Sequence, residues 1–133
     1  MKILQPEGWG APRGYSNGIE AQGRLVFVAG QIGWNPQTCV FETDDFVGQV
    51  GQALRNVLAV LDEAGAGPEH LTRMTWYVTD RAAYMADTRA LGRVWRDTFG
   101  RYYPAMTLVV VAGLLEERAK VEIEATAVVP EQE

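Results

Sequence analysis

Among 133 residues the chain carries one cysteine, Cys39, and one histidine, His70. A lone cysteine excludes an internal disulfide, and a lone histidine excludes a histidine pair for RNA cleavage. Together they offer no ligand spacing for a metal. No apolar run approaches the roughly 20 residues that a membrane-spanning helix needs. Excess positive charge is also missing: 12 Lys and Arg stand against 17 Asp and Glu, a formal net charge of −5. That sign disfavours nucleic acid and anionic lipid surfaces. Trp9, Trp34, Trp76 and Trp95 do not interleave with basic residues as a single-strand stacking platform would. No glycine-rich phosphate loop and no nucleotide or flavin motif is present. The first residues, Met1-Lys-Ile-Leu-Gln-Pro, lack the apolar core of a signal peptide. The expectation is one cytoplasmic domain over residues 1–133 that needs no cofactor or metal and meets no nucleic acid or membrane.

What is present reads as alternating strands and helices. Residues 1–14, rich in Gly and Pro, form an irregular lead-in, and 130–133 a tail. Tyr15 to Ile19 and Leu25 to Ala29 read as two strands joined around Gly23 as a hairpin, followed by a loop from Gly30 to Pro36. A helix spans about Asp45 to Ala64, capped by Thr43 or Asp44. Its apolar stripe is Phe46, Val50, Leu54, Val57, Leu58 and Leu61. Gly48 and Gly51 inside it mark a close approach of backbone. Leu71 to Thr79 is a strand, and Ala82 to Phe99 a second helix with Asp80 as its cap. Ala105 to Val111 and Val121 to Val129 complete a ββαβαββ order. The implied fold is α+β, a single sheet with both helices on one face. The other sheet face carries Thr75, Tyr77, Glu122, Glu124 and Thr126. It is too mixed for a core yet too apolar for open solvent, so a second copy of the chain is its economical cover.

The last strand holds the most informative feature. Val121-Glu-Ile-Glu-Ala-Thr-Ala127 sets two carboxylates, Glu122 and Glu124, on one face of an apolar strand. A half-buried carboxylate needs a partner or a chemical role. A salt bridge or hydrogen-bond pair between subunits is the structural alternative for both.

Seven segments, in order, are similar to the Rid family (RidA/YjgF, historically endoribonuclease L-PSP). They are Gly14-Tyr15-Ser16, Leu25-Val-Phe-Val-Ala-Gly-Gln-Ile32, Gln49-x-x-Gln52-Ala-Leu-x-Asn56, Leu61-x-x-Ala64-Gly65, Val78-Thr79-Asp80, Tyr103-Pro-Ala105 and Val121-Glu-Ile-Glu-Ala-Thr-Ala127. The resemblance implies a chorismate-mutase-like, homotrimeric α+β fold with a cleft at each subunit interface. It also implies hydrolysis of reactive enamines and imines to a keto compound and ammonia, without a cofactor. Carried over by position, Glu122 would activate water, Tyr15 would supply a pocket phenol, Gly30 a backbone contact, and Thr107 would line the strand. Met106 stands where the family has its carboxylate-binding arginine, Ala29 where it has serine, and Asp87 or Thr88 near its second-helix asparagine.

Met106 carries a consequence of magnitude. Losing a charge-assisted clamp of roughly 1.5–3 kcal/mol weakens carboxylate binding by one order of magnitude or more. The implied substrate is therefore a neutral or cationic, more apolar imine rather than a simple 2-imino acid. The alternative is a small-molecule-binding or regulatory homotrimer without catalysis. Arg13 and Arg73 are candidate replacement anchors, each with a solvated or ion-paired surface role as the alternative. Arg89, Arg93 and Arg96 read as a solvated helix face. Tyr15 and Thr107 have ordinary strand packing as their alternatives, and Cys39 reads as a surface thiol.

Overall fold

The structure is a computed structural model and describes residues 1–131, so the end of the expected tail lies outside the described residues. Strands β1 (Lys2–Leu4), β2 (Gly18–Glu20) and β3 (Arg24–Ile32) precede helix α1 (Phe46–Glu63). Strand β4 (Leu71–Val78), helices α2 (Arg81–Ala86) and α3 (Thr88–Phe99), and strands β5 (Ala105–Val110) and β6 (Val121–Val129) follow. The main sheet has the order β3-β6-β4-β5, with β4 and β5 parallel and the other pairs antiparallel.

The expected hairpin is corrected. The segment Gly18–Glu20 pairs with Lys2–Leu4 rather than with β3, and β3 pairs with β6. The lead-in therefore contains a strand, and a small two-stranded ribbon accompanies the four-stranded sheet. Glycine content signals permissive backbone but cannot tell which of two short neighbours a strand chooses. The segment expected as a loop after Ala29 is also strand, through Ile32. The second helix is divided at Asp87, whose side chain accepts a bond from the Ala90 amide and so starts α3.

Alternation sorts the sheet into two faces. Met74, Trp76 and Val78 of β4, with Val121, Ile123, Ala125 and Ala127 of β6, are buried toward the helices. They pack on Val50, Leu54, Val57 and Leu61 of α1 and on Leu91, Trp95 and Phe99 of α3. Gly51 lies where α1 meets α3: a Cβ there would sit 3.3 Å from Val94 Cγ1. Asp45 caps α1 by accepting from the Gly48 amide, while Asp44 pairs with Arg118. Thr75, Tyr77, Glu124 and Thr126 face the other way and carry no second layer, and Phe27 on β3 is 71% exposed.

Candidate functional site

Between Val28 and Gln31 the register of β3 slips. Val28 opposes Ala125 and Gln31 opposes Ile123, so Ala29 and Gly30 together oppose Glu124. Such a bulge re-aims the backbone at one point. Here it brings Gly30 beneath the Glu122 carboxylate, so that a Cβ at Gly30 would collide with it. Glu122 is half-buried and has no hydrogen bond or ion pair to a side chain among the described residues. It opens on a concavity of about 320 Å³ shared with Gly30, Gln31, Trp34, Leu115 and Glu116.

Two buried amides shape the walls of that concavity. Asn56, on α1, donates to the carbonyls of Ile32 and Trp34, both at 3.1 Å. Gln49, about two turns earlier on the same helix, donates to the Thr43 and Arg118 carbonyls and accepts from the Lys120 amide at 2.9 Å. Gly33 lets β3 end against α1, since a Cβ there would stand 2.6 Å from the Gln49 Cα.

Glu124 differs from Glu122. Its Oε1 accepts a very short bond from the Tyr77 hydroxyl, reaching diagonally across the β4–β6 pair. That bond to a carboxylate, with some burial and the charge of both glutamates, raises the Tyr77 pKa above its ordinary value, while Arg73 opposes the rise. Glu124 is thus committed within the sheet. It lines a concavity of about 420 Å³ on the open face with Arg73, Thr75, Tyr77 and Thr107.

Tyr15 and Met106 form a third group. Ser16 is buried; its hydroxyl donates to the Tyr103 carbonyl at 2.6 Å and its amide to the Pro104 carbonyl at 2.9 Å. This clasp lays the Arg13–Tyr15 loop along the start of β5. Arg13, Gly14 and Tyr15 there share a cleft with Met106, Trp76 and Tyr84. Met106 pairs with Met74 on the helix side of the sheet, and Thr107 with Thr75 on the open side. Neighbouring strand residues must point oppositely. One chain thus groups Gly30 with Glu122 and Tyr15 with Met106, and leaves Thr107 apart from both. Of the two arginines expected as replacement anchors, Arg13 reaches the Met106 cleft and Arg73 does not.

Against known proteins, residues 9–129 match the family model described as Endoribonuclease L-PSP. The chain belongs to the endoribonuclease L-PSP family. A RutC family protein of Synechocystis, slr0709, is 38% identical over 137 residues, covering 98% of both chains. The crystal structure of YyfB, a Rid family protein of Yersinia pestis, superposes with a TM-score of 0.85 at 30% identity, covering 96% of this chain and 98% of that one. Escherichia coli TdcF, solved with bound serine, gives 0.67 at 32% identity, covering 97% and 99%. The YjgF-like α+β architecture of the family is the architecture found here.

Within this family frame, several residues of the Met106 cleft, Trp76, Tyr84 and Arg96 among them, were not expected as site residues from the sequence. Trp76 and Tyr84 carried the signal of core aromatics. Arg96 lines the cleft although its charge pattern marked it as a solvated face. Among the described residues no group of three His, Cys, Asp or Glu could hold a metal, and no helix is long and apolar enough to cross a membrane.

Proposed function

We propose that the chain is a cofactor-independent hydrolase of a reactive imine or enamine, working in the cytoplasm. Its site is completed between copies in a homotrimer, where Glu122 over Gly30 of one copy faces the Tyr15–Met106 cleft of the next. The observation that carries this reading is the contrast between the two glutamates. Glu124 is bonded to Tyr77, whereas Glu122 stands unpartnered over a glycine in a walled concavity. A carboxylate so held can orient water and accept its proton while favouring a protonated, cationic imine.

The steps balance without a further reactant. Glu122 takes a proton from water as the oxygen bonds to the carbon of the protonated imine and the C=N electron pair moves to nitrogen. The carboxylic acid returns the proton to nitrogen, giving an ammonium carbinol. Loss of the hydroxyl proton to Glu122 then breaks the C–N bond, and the departing ammonia takes that proton from Glu122, leaving a carbonyl compound, ammonium and the carboxylate restored. A 2-imino acid lacks an arginine at position 106 to hold its carboxylate, so the preferred imine is of another class. That Escherichia coli TdcF was solved with bound serine supports a small-molecule ligand for this chain as well.

Met106 itself favours the second reading, a trimer that binds a small molecule without turnover. Ammonia release from a panel of imines generated in situ separates the two. Glu122→Gln abolishes release under the hydrolase reading with ligand binding retained. Release that persists in this variant refutes the assignment of Glu122.

A further inference from the structure

The cleft beside Met106 has an unusual chemical make-up for so acidic a chain. It encloses about 400 Å³ between Arg13–Gly14, strand β5 and helix α3, a volume within the usual range for small-molecule sites, and adjoins the smaller hollow that Tyr15 lines. Its wall is aromatic: Trp95 and Tyr103 stack at 5.7 Å and 14°, and Trp76 meets Tyr84 edge-on at 6.4 Å. Trp76 is 4% exposed, and its Nε1 is the one buried side-chain polar atom without a partner among the described residues. Met106 contributes an apolar thioether. No Asp or Glu of the same chain lines the cleft, yet two arginines do, Arg13 and Arg96. Neither has a carboxylate within ion-pair distance among the described residues. Arg96 folds back over Gly92, where a Cβ would stand 3.2 Å from its Nη1. Gly92 therefore lets the guanidinium lie along the cleft.

We propose that Arg13 and Arg96 form a displaced anion anchor, so that this cleft takes an aromatic or bulky apolar ligand whose anionic group is separated from the reacting carbon by an apolar spacer. The inference rests on the reading that the Met106 cleft holds the substrate, and it names the class of that substrate. In a 2-imino acid the carboxylate adjoins the C=N carbon, and a cation at position 106 would serve it. With Met106 in that place, the position beside the reacting carbon is apolar and the positive charge sits with Arg13 and Arg96. An aromatic body lies well against the Trp95–Tyr103 stack, and its carboxylate meets unpaired guanidinium groups that neutralise it bidentately. A short acid cannot occupy both places at once.

Intrinsic tryptophan fluorescence of the intact protein tests this with three probes: 3-phenylpropionate, its neutral isostere 3-phenylpropan-1-ol, and pyruvate. The expected result is that 3-phenylpropionate binds at least about tenfold more tightly than either of the others, as a charge-assisted pair implies. Its affinity falls as salt rises while that of the alcohol does not. Arg13→Gln and Arg96→Gln each weaken the acid and leave the alcohol unchanged. Equal affinity for acid and alcohol, or an unaltered acid affinity in the folded double variant, overturns the proposal. Glu122→Gln keeps acid binding. A protein that shows arginine-dependent binding but releases no ammonia therefore counts against the hydrolase reading alone. One that hydrolyses imines without preferring the spaced anion counts against this proposal alone.

Discussion

Under the proposed hydrolysis, position 106 would decide what kind of anion can lie next to the reacting carbon. Its side chain enters the cleft from edge strand β5, beside Tyr15 and Leu108, and carries no charge. Placing a guanidinium there restores a bidentate partner for an adjacent carboxylate, an interaction of roughly 1.5–3 kcal/mol. Met106→Arg is therefore expected to raise kcat/KM for short 2-imino acids by about tenfold or more. Steady-state ammonia release with 2-aminoacrylate-derived imine measures this, and a variant no better than the parent would show that carboxylate binding was never limiting. The residue scale was also where the sequence was most legible. Glu122, Tyr15 and Met106 could each be named as candidates from their motifs. Their grouping could not, because Met106 and Thr107 follow one another in sequence and alternation sends them to opposite faces. That constraint was present in the strand pattern itself, and it argues against counting both in one pocket of a single chain.

At the scale of elements, helix α1 is the scaffold on which the Glu122 concavity is assembled. The Asn56 amide holds two carbonyls of the chain leaving β3, and Gln52 donates to its Oδ1 at 2.8 Å. Asn56→Ala leaves these buried acceptors unpaired, which costs about 2 kcal/mol or more. Urea denaturation monitored by far-ultraviolet circular dichroism reads this loss, and a change below about 0.5 kcal/mol would mean that solvent replaces the amide. The β4–β6 pair yields a pH dependence. Tyr77 titrates above its ordinary value of 10.0, first because its hydroxyl bonds to Glu124, so the folded state favours the neutral phenol. The stability this confers is fully present below the unfolded pKa and is lost as pH rises through the folded one. Tyr77→Phe should then lose stability less steeply above about pH 10 than the parent does. Some slope remains, because burial also raises Tyr102. Identical pH profiles for parent and variant would sink this account. The elements themselves were mostly legible, since α1, β4 and β6 carry strong periodicity. The β1–β2 ribbon was not, because three-residue strands hold too few side chains to show a period. The bulge at Ala29–Gly30 was equally hidden: an extra residue in a strand is defined by its partner's register, which no local pattern records.

For the whole molecule, the division of the site between two faces constrains the symmetry of any assembly. A two-fold pair brings like patches together, Glu122 to Glu122 and Met106 to Met106. A head-to-tail ring instead joins unlike patches, as a site needing both residues requires, and a closed ring of three satisfies this without leaving a free end. The open face is suited to such contact. Phe27 and Leu25 are 71% and 61% exposed on β3, and Val109 stands on β5 beyond a polar centre of Thr75, Tyr77 and Thr107. Isolated apolar residues are common on surfaces, but several on one sheet face beside a polar core have the anatomy of an interface. Sedimentation equilibrium should accordingly give three times the 14.7 kDa chain mass. Phe27→Asp places a charge where an apolar ring would be buried, at a cost of several kcal/mol per interface. Because Phe27 is 71% exposed in its own chain and lies outside its core, the variant should dissociate with its secondary structure intact. Imine hydrolysis should fall with the loss of assembly, since Glu122 then no longer faces a Met106 cleft. An active monomer would place the entire site within one chain, and the division between faces seen here would have no functional meaning.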